Sequence, residues 1–455
     1  MDYRELSSRY PVFYYHDFAI IESDDEFHVQ YDFEIEGLSH FNPDFIVAKP
    51  AGGVIYGNLR TVREAAFSLG LIELISYWKL TCAPTVIVEC GLLDETQTAW
   101  WKKLYFNGLA EFFVKNGIPA DPQSFMDLRS DGEPITGHTD QRRFSGNLIS
   151  VGGGKDSFVS LQLLSGMKED NHAFVVNHVL AAVHSAQAAG YSGEKLIIAE
   201  RSIDSRMLEF NKAGYLNGHT PFSAFCAFAA ALTAVIYGIQ NICVSHEAFP
   251  DEPEIRSGKM CRRYSKTFEF EQDFKWYMDN CITPEVHYFS LLRPLSELQI
   301  AGLFSTLKDY LPVFCSCNVG KNMERWCGHC AKCLFVCVLL SAYLPDETLR
   351  RIFGTDMLND ESLKDLLDQL TSDQEDRPFE YLGTSGDVNT AIAMSVRNHE
   401  ASNEALPLLY QHWCGSSHYA AYRDKQTDWS LYNTENLVPE EYQQLLRQWI
   451  GEMKA

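Results

Sequence analysis

The chain has little positive charge: 38 lysines and arginines stand against 61 aspartates and glutamates, giving a formal net charge of −23. Nucleic acids are bound through basic surfaces that neutralise phosphates. The charge balance therefore argues against a nucleic-acid partner and favours a small-molecule one. Hydrophobic residues make up 46% of the chain and charged residues 22%, which is ordinary for a globular protein.

Long apolar runs are also missing. The most apolar window, 222–238, is shorter than a typical membrane-spanning helix and contains Ser223 and Thr233. The first five residues have neither the basic nor the apolar region of a signal peptide. We therefore expect a cytoplasmic protein with no membrane partner. Thirteen cysteines in that compartment indicate thiols or metal ligands and not disulfides.

One glycine-rich stretch is the most informative motif. After the apolar run 147–151, the sequence continues with Gly152, Gly153, Gly154, Lys155, Asp156 and Ser157. Glycines allow close backbone approach, and N–H groups at a following helix start bind phosphate. A Walker A loop is excluded, because Ile149 replaces its glycine and Asp156 follows Lys155. The stretch resembles the Ser-Gly-Gly-x-Asp-Ser PP-loop of enzymes that cleave ATP to AMP and pyrophosphate, with Gly152 replacing the first serine. The alternative is a flexible glycine-rich turn.

The pattern of strands and helices predicts an α/β fold. From residue 146 onward, candidate strands at 148–151, 173–177, 196–199 and 241–245 alternate with helical segments, which favours a doubly wound parallel sheet. Before it, an alternating strand at 27–35, helices at 62–79 and 100–116, a strand at 85–88 and a linker at 119–139 indicate an N-terminal α+β domain. The predicted domains are 1–140, 141–340 with the PP-loop, and a mostly helical region, 341–455.

Four cysteines form the second strong motif. Cys317, Cys327, Cys330 and Cys333 have the spacing C-x9-C-x2-C-x2-C, which predicts a tetrahedral Zn²⁺ site. Four protein ligands leave no open position, so we assign the zinc a structural role. The spacing is similar to that of 7-cyano-7-deazaguanine synthase, a PP-loop enzyme. The alternatives are buried free cysteines, an iron–sulfur cluster, or a ligand set that includes the flanking Cys315 or Cys337.

Further candidates lie at strand ends and in charged loops. Ligands of doubly wound sheets bind at the carboxyl ends of strands, where Arg201, Asp204, His246 and Glu247 fall. The run 211–223 precedes the apolar helix: His219 or Thr220 is expected to cap that helix, and His219 is also a candidate for proton transfer.

Two charged runs remain open to two interpretations each. The basic run 256–266 is either a clamp for diphosphate or carboxylate groups or a solvated loop. The acidic cluster Glu247, Asp251, Glu252 and Glu254 is either a Mg²⁺ site or a solvated loop. No Ser-His-Asp triad or nicotinamide fingerprint is evident in the sequence.

The glycine loop, the cysteine spacing and the runs 67–79 and 214–223 together resemble the MurL-type UDP-N-acetylmuramoyl-L-alanyl-L-glutamate epimerases, over roughly residues 10–415. The resemblance implies a bacterial enzyme of peptidoglycan precursor synthesis that inverts the terminal L-Glu of a UDP-linked muramoyl dipeptide. It implies ATP and Mg²⁺ as cosubstrate and cofactor, with AMP and pyrophosphate as products.

The resemblance also implies roles for individual residues. The loop 152–157, with Arg201 and Asp204, would bind ATP, and Lys155 would stabilise developing charge. The proton-transfer candidates are His219, His246 and Glu247.

Two other functions remain open on the sequence. Another PP-loop enzyme, such as an amidating or nucleobase-modifying synthase, would share the cleavage of ATP to AMP. A non-catalytic nucleotide-binding module would bind ATP without releasing pyrophosphate. The sequence does not indicate the oligomeric state.

Overall fold

The computed structural model describes residues 2–50, 54–248, 254–256, 259–261, 264–320, 323–372 and 383–454. The chain forms two compact units. The first contains Met1–Leu148, Ile197–Ile242 and Asp251–Tyr288, and the second contains Ile149–Leu196, Cys243–Pro250 and Phe289–Ala455. The division into domains at residues 140 and 340 stays a prediction.

The strands and helices are defined here in chain order. The strands are β1 Val12–Glu22, β2 Glu26–Ile35, β3 Ser39–Phe41, β4 Asp44–Ala48, β5 Thr85–Val88, β6 Asp127–Ser130, β7 Asn147–Ser150, β8 Asn171–Val176, β9 Leu196–Arg201, β10 Asn241–Val244, β11 Glu254–Arg256, β12 Lys259–Cys261 and β13 His287–Ser290. The helices are α1 Tyr3–Arg9, α2 Arg60–Trp78, α3 Glu95–Gly108, α4 Ala110–Lys115, α5 Lys155–Leu163, α6 Leu180–Ala188, α7 Ser205–Lys212, α8 Phe222–Tyr237, α9 Phe268–Tyr277, α10 Glu297–Ser305, α11 Ala331–Ser341, α12 Asp346–Phe353, α13 Lys364–Thr371, α14 Ser385–Ser402, α15 Leu408–Cys414, α16 Ser417–Tyr422 and α17 Glu440–Lys454.

The first unit contains a mixed sheet. Its strand order is β9-β4-β2-β1-β5-β6, with β3 paired to β2. The pairs β1–β2, β2–β3, β2–β4 and β4–β9 are antiparallel, whereas β1–β5 and β5–β6 are parallel. Apolar residues at every second position of β2 are buried and the polar ones between them face outward, as the alternation predicts. Sequence and structure therefore agree on the half-buried strand at 27–35.

Two predictions for this region are wrong. The expected single helix at 100–116 is two helices, α3 and α4, which meet at Leu109. The expected linker at 119–139 contains β6, whose four residues pair in parallel with β5. A strand that short, among Gly, Pro and Asp residues, leaves little periodic signal.

The second unit contains β8 and the carboxyl-terminal ends of β7, β10 and β13. The strand order here is β13-β10-β7-β8, and the Val151 N–H donates to the Phe174 carbonyl at 2.8 Å. β10 and β13 are joined by the Leu291 N–H, which donates to the Val244 carbonyl at 2.9 Å. Helices α10, α11 and α14 supply much of the apolar core of this unit, and α12 to α17 make the C-terminal region helical, as predicted. The protein is thus α/β with a mixed sheet; the PP-loop type of fold stays a prediction.

Helix α8 is the buried helix expected from the apolar window. Twelve of its sixteen residues are buried, and Gly238 ends it with a φ of 67°. The predicted cap by His219 or Thr220 is wrong: Pro221 occupies the N-cap position and no side chain caps this helix in the described structure. Among the described residues, no helix combines the length and apolarity needed to cross a bilayer.

Candidate functional site

The glycine loop lies in the second unit, between β7 and α5. The Gly152 N–H donates to Ser157 Oγ at 3.0 Å, which folds the loop onto the start of the helix. Phe158 N–H donates to the Gly154 carbonyl at 3.4 Å, so the N–H groups before it have no partner one turn earlier in the helix. In the described structure no side chain caps this end of α5. The arrangement suits an anion at the helix start.

Gly153 is required by its backbone conformation. Its φ is +86°, and a Cβ built there would lie 2.9 Å from the carbonyl carbon and oxygen of Ala181. Its carbonyl accepts the Cys315 N–H at 2.9 Å. At Gly152, by contrast, the nearest atom to a Cβ is Ser157 Oγ at 4.0 Å. The glycine that replaces the serine of the PP-loop pattern is therefore not needed for steric reasons.

Lys155 is buried and surrounded by carboxylates. Only 3% of the residue is exposed, and its ammonium group forms ion pairs with Asp156 and Glu297. Burial alone would lower the pKa of Lys155, but these carboxylates raise it above its usual value. Glu297 is likewise buried; burial raises the pKa of its carboxyl to about 8, although Lys155 opposes the rise and Glu247 adds to it. A cation held among several acids is the central electrostatic feature of this unit.

Glu247 and Asp387 extend the same group. Glu247 is 7% exposed, and its backbone carbonyl accepts from the Arg293 guanidinium at 2.7 Å. Burial raises the pKa of Asp387, Glu247 raises it further, and Lys155 lowers it. The structure thus brings Glu247, which the sequence marked at a strand end, close to Lys155 and Asp156 of the glycine loop, and adds two acids that the sequence had not marked.

Sequence reasoning missed Glu297 and Asp387, which stand in the first turns of α10 and α14. Ser296 and Gln299 form a capping box at the start of α10, and this pattern marks the helix start in the sequence. It does not mark Glu297 as a partner of Lys155, because no local spacing relates residues 142 positions apart.

His246 follows β10, as predicted, and its backbone is fixed in place. Its N–H donates to Ser290 Oγ at 2.7 Å, and the same hydroxyl donates to the His246 carbonyl at 2.6 Å. Ser245 and Ser160 share a hydroxyl contact of 2.8 Å that joins the end of β10 to α5. His246 and Glu247 therefore stand on a well-anchored strand end.

The four predicted cysteines come together in the second unit. Their four sulfur atoms all lie within 4.8 Å of one another. The Cys327 and Cys333 sulfurs are 3.6 Å apart, and those of Cys330 and Cys333 are 3.4 Å apart. A tetrahedral zinc ion with Zn–S bonds of about 2.3 Å separates its sulfurs by about 3.8 Å. The donor set fits zinc, and the flanking Cys315 and Cys337 lie outside it.

Arg201 and Asp204 lie in the first unit. Arg201 forms a two-pronged ion pair with Glu73, at 2.7 and 2.9 Å, and lies 4.4 Å from the ring centroid of Phe225. Asp204 caps α7 by accepting the Arg206 N–H at 2.9 Å. Both side chains thus have partners within the chain, and their assignment to ATP stays a prediction.

The two longer runs that carry the family resemblance meet in this unit. Lys79, at the end of α2, donates to the Gly218 carbonyl at 2.9 Å, and the Leu216 N–H donates to the Leu80 carbonyl at 3.3 Å. Burial lowers the pKa of Lys79 to about 8, and Arg201 lowers it further. His219 follows directly; its Nδ1 is 3.9 Å from the Glu111 carboxylate. Lys79 is a functional candidate that sequence reasoning did not single out.

Some candidates lie outside the described residues. These are Asp251 and Glu252 of the acidic cluster, and Arg262 and Arg263 of the basic run. Arg256 and Lys259 belong to the two-stranded antiparallel pair β11–β12, for which only the backbone is described. The diphosphate clamp stays a prediction.

Comparison with known proteins gives consistent matches. A family model described as the MurL N-terminal domain matches residues 4–291, and one described as the MurL C-terminal domain matches residues 313–421. Curated proteins named UDP-N-acetyl-alpha-D-muramoyl-L-alanyl-L-glutamate epimerase are similar to the chain. The one from Salinispora tropica is 31% identical over 385 residues, covering 82% of each chain. The one from Xanthomonas oryzae pv. oryzae is 29% identical over 370 residues, covering 79% of this chain and 81% of that protein. No solved structure matches the chain significantly.

Proposed function

The chain belongs to the MurL family, and we propose that it is an epimerase of peptidoglycan precursor synthesis. Its substrate is UDP-MurNAc-L-Ala-L-Glu, and its product carries D-Glu at the terminal position. The names of the curated relatives support this substrate. The enzyme would act in the bacterial cytoplasm.

We infer that the reaction consumes ATP. A free carboxylate activates its own α-proton poorly, because deprotonation would add a second negative charge. An oxygen of the α-carboxylate of the terminal glutamate attacks the α-phosphorus of ATP, and pyrophosphate leaves. The resulting acyl adenylate can delocalise a carbanion. A base then removes the α-proton, another group returns a proton to the opposite face, and hydrolysis releases AMP. The glycine loop at the start of α5, beside the buried Lys155, is the observation that carries this proposal.

In this proposal each part of the loop has a role. The N–H groups of residues 153–157 bind the pyrophosphate portion of ATP, and the helix start favours its negative charge. Lys155 stabilises the charge that develops as pyrophosphate leaves. Its ion pairs with Asp156 and Glu297 hold the ammonium group in position without nucleotide.

Magnesium and zinc have separate places in the proposal. Asp156 and Glu247 are carboxylates suited to Mg²⁺, which prefers oxygen ligands and usually binds through one or two carboxylates and substrate phosphates. Cys317, Cys327, Cys330 and Cys333 would hold a structural Zn²⁺. Cys315 N–H donates to the Gly153 carbonyl, so the segment that enters the cysteine cluster also supports the glycine loop.

Each unit contains its own candidates for proton transfer, and the two sets are alternatives. Glu247 belongs to the carboxylate group around Lys155, and His246 precedes it on the same strand end. His219 and Lys79 lie together in the first unit, and a pKa near 8 suits Lys79 to proton transfer near neutrality. Where a separate group acts on each face of the α-carbon, single substitutions separate their roles.

The test measures pyrophosphate release from ATP by the purified protein with and without UDP-MurNAc-L-Ala-L-Glu, in D₂O. We expect substrate-dependent release, D-glutamate in the recovered dipeptide, and deuterium at its α-carbon. Release with no inversion would indicate another PP-loop activity. Nucleotide binding with no release would indicate a binding module and contradict the proposal.

For the proton-transfer groups, Lys79→Met, His219→Ala, His246→Ala and Glu247→Gln are compared in the same assay. A variant that still exchanges the α-proton of only one of the two epimers has lost the base that acts on the other epimer. A variant with unchanged epimerisation removes that residue from the candidates.

A further inference from the structure

A second group of metal-ligating side chains lies in the first unit, on the outward face of its sheet. His16 is on β1, Glu34 on β2 and His40 on β3. One nitrogen or oxygen from each lies within 4.8 Å of the others. This group plays no part in the proposed epimerisation.

Strand pairing brings the three residues together. Glu34 and His40 are direct cross-strand partners on β2 and β3. His16 is the extra residue of a β-bulge, because Tyr15 pairs with Phe33 and Asp17 pairs with Asp32. A bulge turns the side chain of the inserted residue away from the regular alternation. Here the His16 Nε2 lies 2.8 Å from the Glu34 carboxylate.

The distances suit a transition metal. Besides the His16 contact, His40 Nε2 lies 3.5 Å from the same Glu34 oxygen. Ligands bound to zinc tetrahedrally at about 2.0–2.1 Å are separated by about 3.3 Å, a value between these two distances. The His16 and His40 rings are stacked, with their centroids 5.7 Å apart. Small side-chain shifts would therefore place all three donor atoms around one ion.

The outer nitrogen of each histidine also faces a carboxylate. His16 Nδ1 is 2.6 Å from Glu89, which directly follows β5, and His40 Nδ1 is 3.4 Å from Asp32. A histidine that binds a metal commonly donates its other N–H to a carboxylate, which fixes the tautomer and the ring orientation. The same pattern at both histidines is the second, independent feature that indicates a ligand.

We propose that His16, Glu34 and His40 bind a divalent transition metal such as Zn²⁺. Two imidazoles and a carboxylate are ligands that zinc accepts. Three protein ligands leave a fourth position for water or an oxygen atom of a bound molecule. Asp32 and Glu89 hold the two rings. The site is separate from the cysteine cluster, which is in the other unit.

The test titrates Zn²⁺ into the full-length protein by calorimetry at pH 7.5, after the metal already bound to the purified protein has been measured. We expect one further equivalent to bind. His40→Ala should weaken this binding about 100-fold, and Glu89→Gln about 10-fold. Glu34→Ala serves as a second ligand variant. Circular dichroism confirms that each variant is folded.

The matched control is His28→Ala. His28 lies on the same face of β2, and its Nε2 is 2.7 Å from Asp44, outside the three-residue group. This variant should bind Zn²⁺ like the unaltered protein. Co²⁺ provides a spectroscopic readout: bound by nitrogen and oxygen ligands, it gives weak visible bands without the sulfur-to-metal charge transfer of a thiolate site. Equal total Zn²⁺ content of His40→Ala and the unaltered protein after the titration would overturn the proposal.

Discussion

At the scale of single residues, the buried ammonium group of Lys155 balances the carboxylates of Asp156 and Glu297. Lys155→Met should abolish pyrophosphate release and lower the free energy of unfolding by about 3 kcal/mol, because it leaves the buried Glu297 carboxylate without a cation. Adding Glu297→Gln to this variant should restore much of the stability without restoring activity. Calorimetric unfolding and the pyrophosphate assay measure both effects; activity in Lys155→Met would contradict the assigned role.

Glu64 on α2 provides a pH test at a different position. Burial raises the pKa of its carboxyl to about 7, although Arg60 opposes the rise. The protonated form is thus favoured by folding. The protonated Glu64 carboxyl stabilises the folded protein fully below the unfolded pKa of about 4.3, and this stabilisation is lost as pH rises through 7. The free energy of unfolding of Glu64→Gln, relative to that of the unaltered protein, should therefore rise by about 3 kcal/mol between pH 4 and pH 8.

Urea unfolding at a series of pH values checks the Glu64 prediction. Glu26→Gln is the control, because Glu26 lies exposed at the start of β2 in the same unit. An equal pH dependence for Glu64→Gln and the unaltered protein would show that Glu64 is not the group responsible.

The sequence revealed those site residues that occur in a short motif. Gly152 to Ser157 and the four cysteines were identified from local spacing, and the structure brings each set together. Glu297, Asp387 and Lys79 were missed because their significance depends on distant partners. His219 and Thr220 were wrongly expected to cap α8, since the sequence does not reveal that Pro221 takes the N-cap position.

At the scale of elements, the turn between β7 and α5 depends on Gly153 more than on Gly152. Gly153→Ala should destabilise the protein by about 2 kcal/mol and abolish nucleotide binding, because the new Cβ meets the Ala181 backbone at a positive φ. Gly152→Ala is the matched control and should leave stability unchanged or raise it by up to about 1 kcal/mol. Thermal unfolding and ATP titration measure the pair. Equal effects of the two substitutions would refute the steric argument.

The cysteine cluster joins the start of α11 to the segment before it. Cys330 is the N-cap residue of α11, and Cys333 lies in its first turn. Cys330→Ser should remove bound zinc, measured by mass spectrometry, and destabilise the protein by about 4 kcal/mol, since structural metal binding contributes folding free energy. Cys414→Ser, at a half-buried thiol outside the cluster, should keep the metal. Full metal content in Cys330→Ser would exclude it as a ligand.

Elements with a strong periodic or apolar signal were predictable to within a few residues. The predicted strand at 85–88 coincides with β5, and the predicted helix at 62–79 is close to α2. β13 was not predicted, and β6 was mistaken for a linker. Their sequences, Asp-Leu-Arg-Ser and His-Tyr-Phe-Ser, lack the run of β-branched residues that marks β5, so pairing with a neighbouring strand decides their structure.

At the scale of the whole molecule, each compact unit is assembled from separate stretches of chain. The first unit is completed only by the segment 251–288, where Tyr277 is buried and its hydroxyl lies 3.1 Å from Ser68 Oγ and 3.2 Å from Trp101 Nε1. A chain ending at residue 242 should therefore be open to proteolysis, whereas a chain ending at residue 288 should be more resistant. Timed digestion with circular dichroism compares them; equal resistance would show that the last segment is dispensable.

Because the first unit is built from separate stretches of chain, it can complete its folding only late in synthesis on the ribosome. When residue 148 has been made, 140 residues up to Tyr288 are still missing, and at about 5–20 residues per second they take about 7–28 s to appear. Helix α2, with buried residues on nearly every side in the finished protein, must wait first for α8 and then for the segment Met278–Ile282 to cover it. During those seconds the nascent chain presents the apolar surface that chaperones bind, so its yield in the cell should depend on them more than that of a protein folding segment by segment.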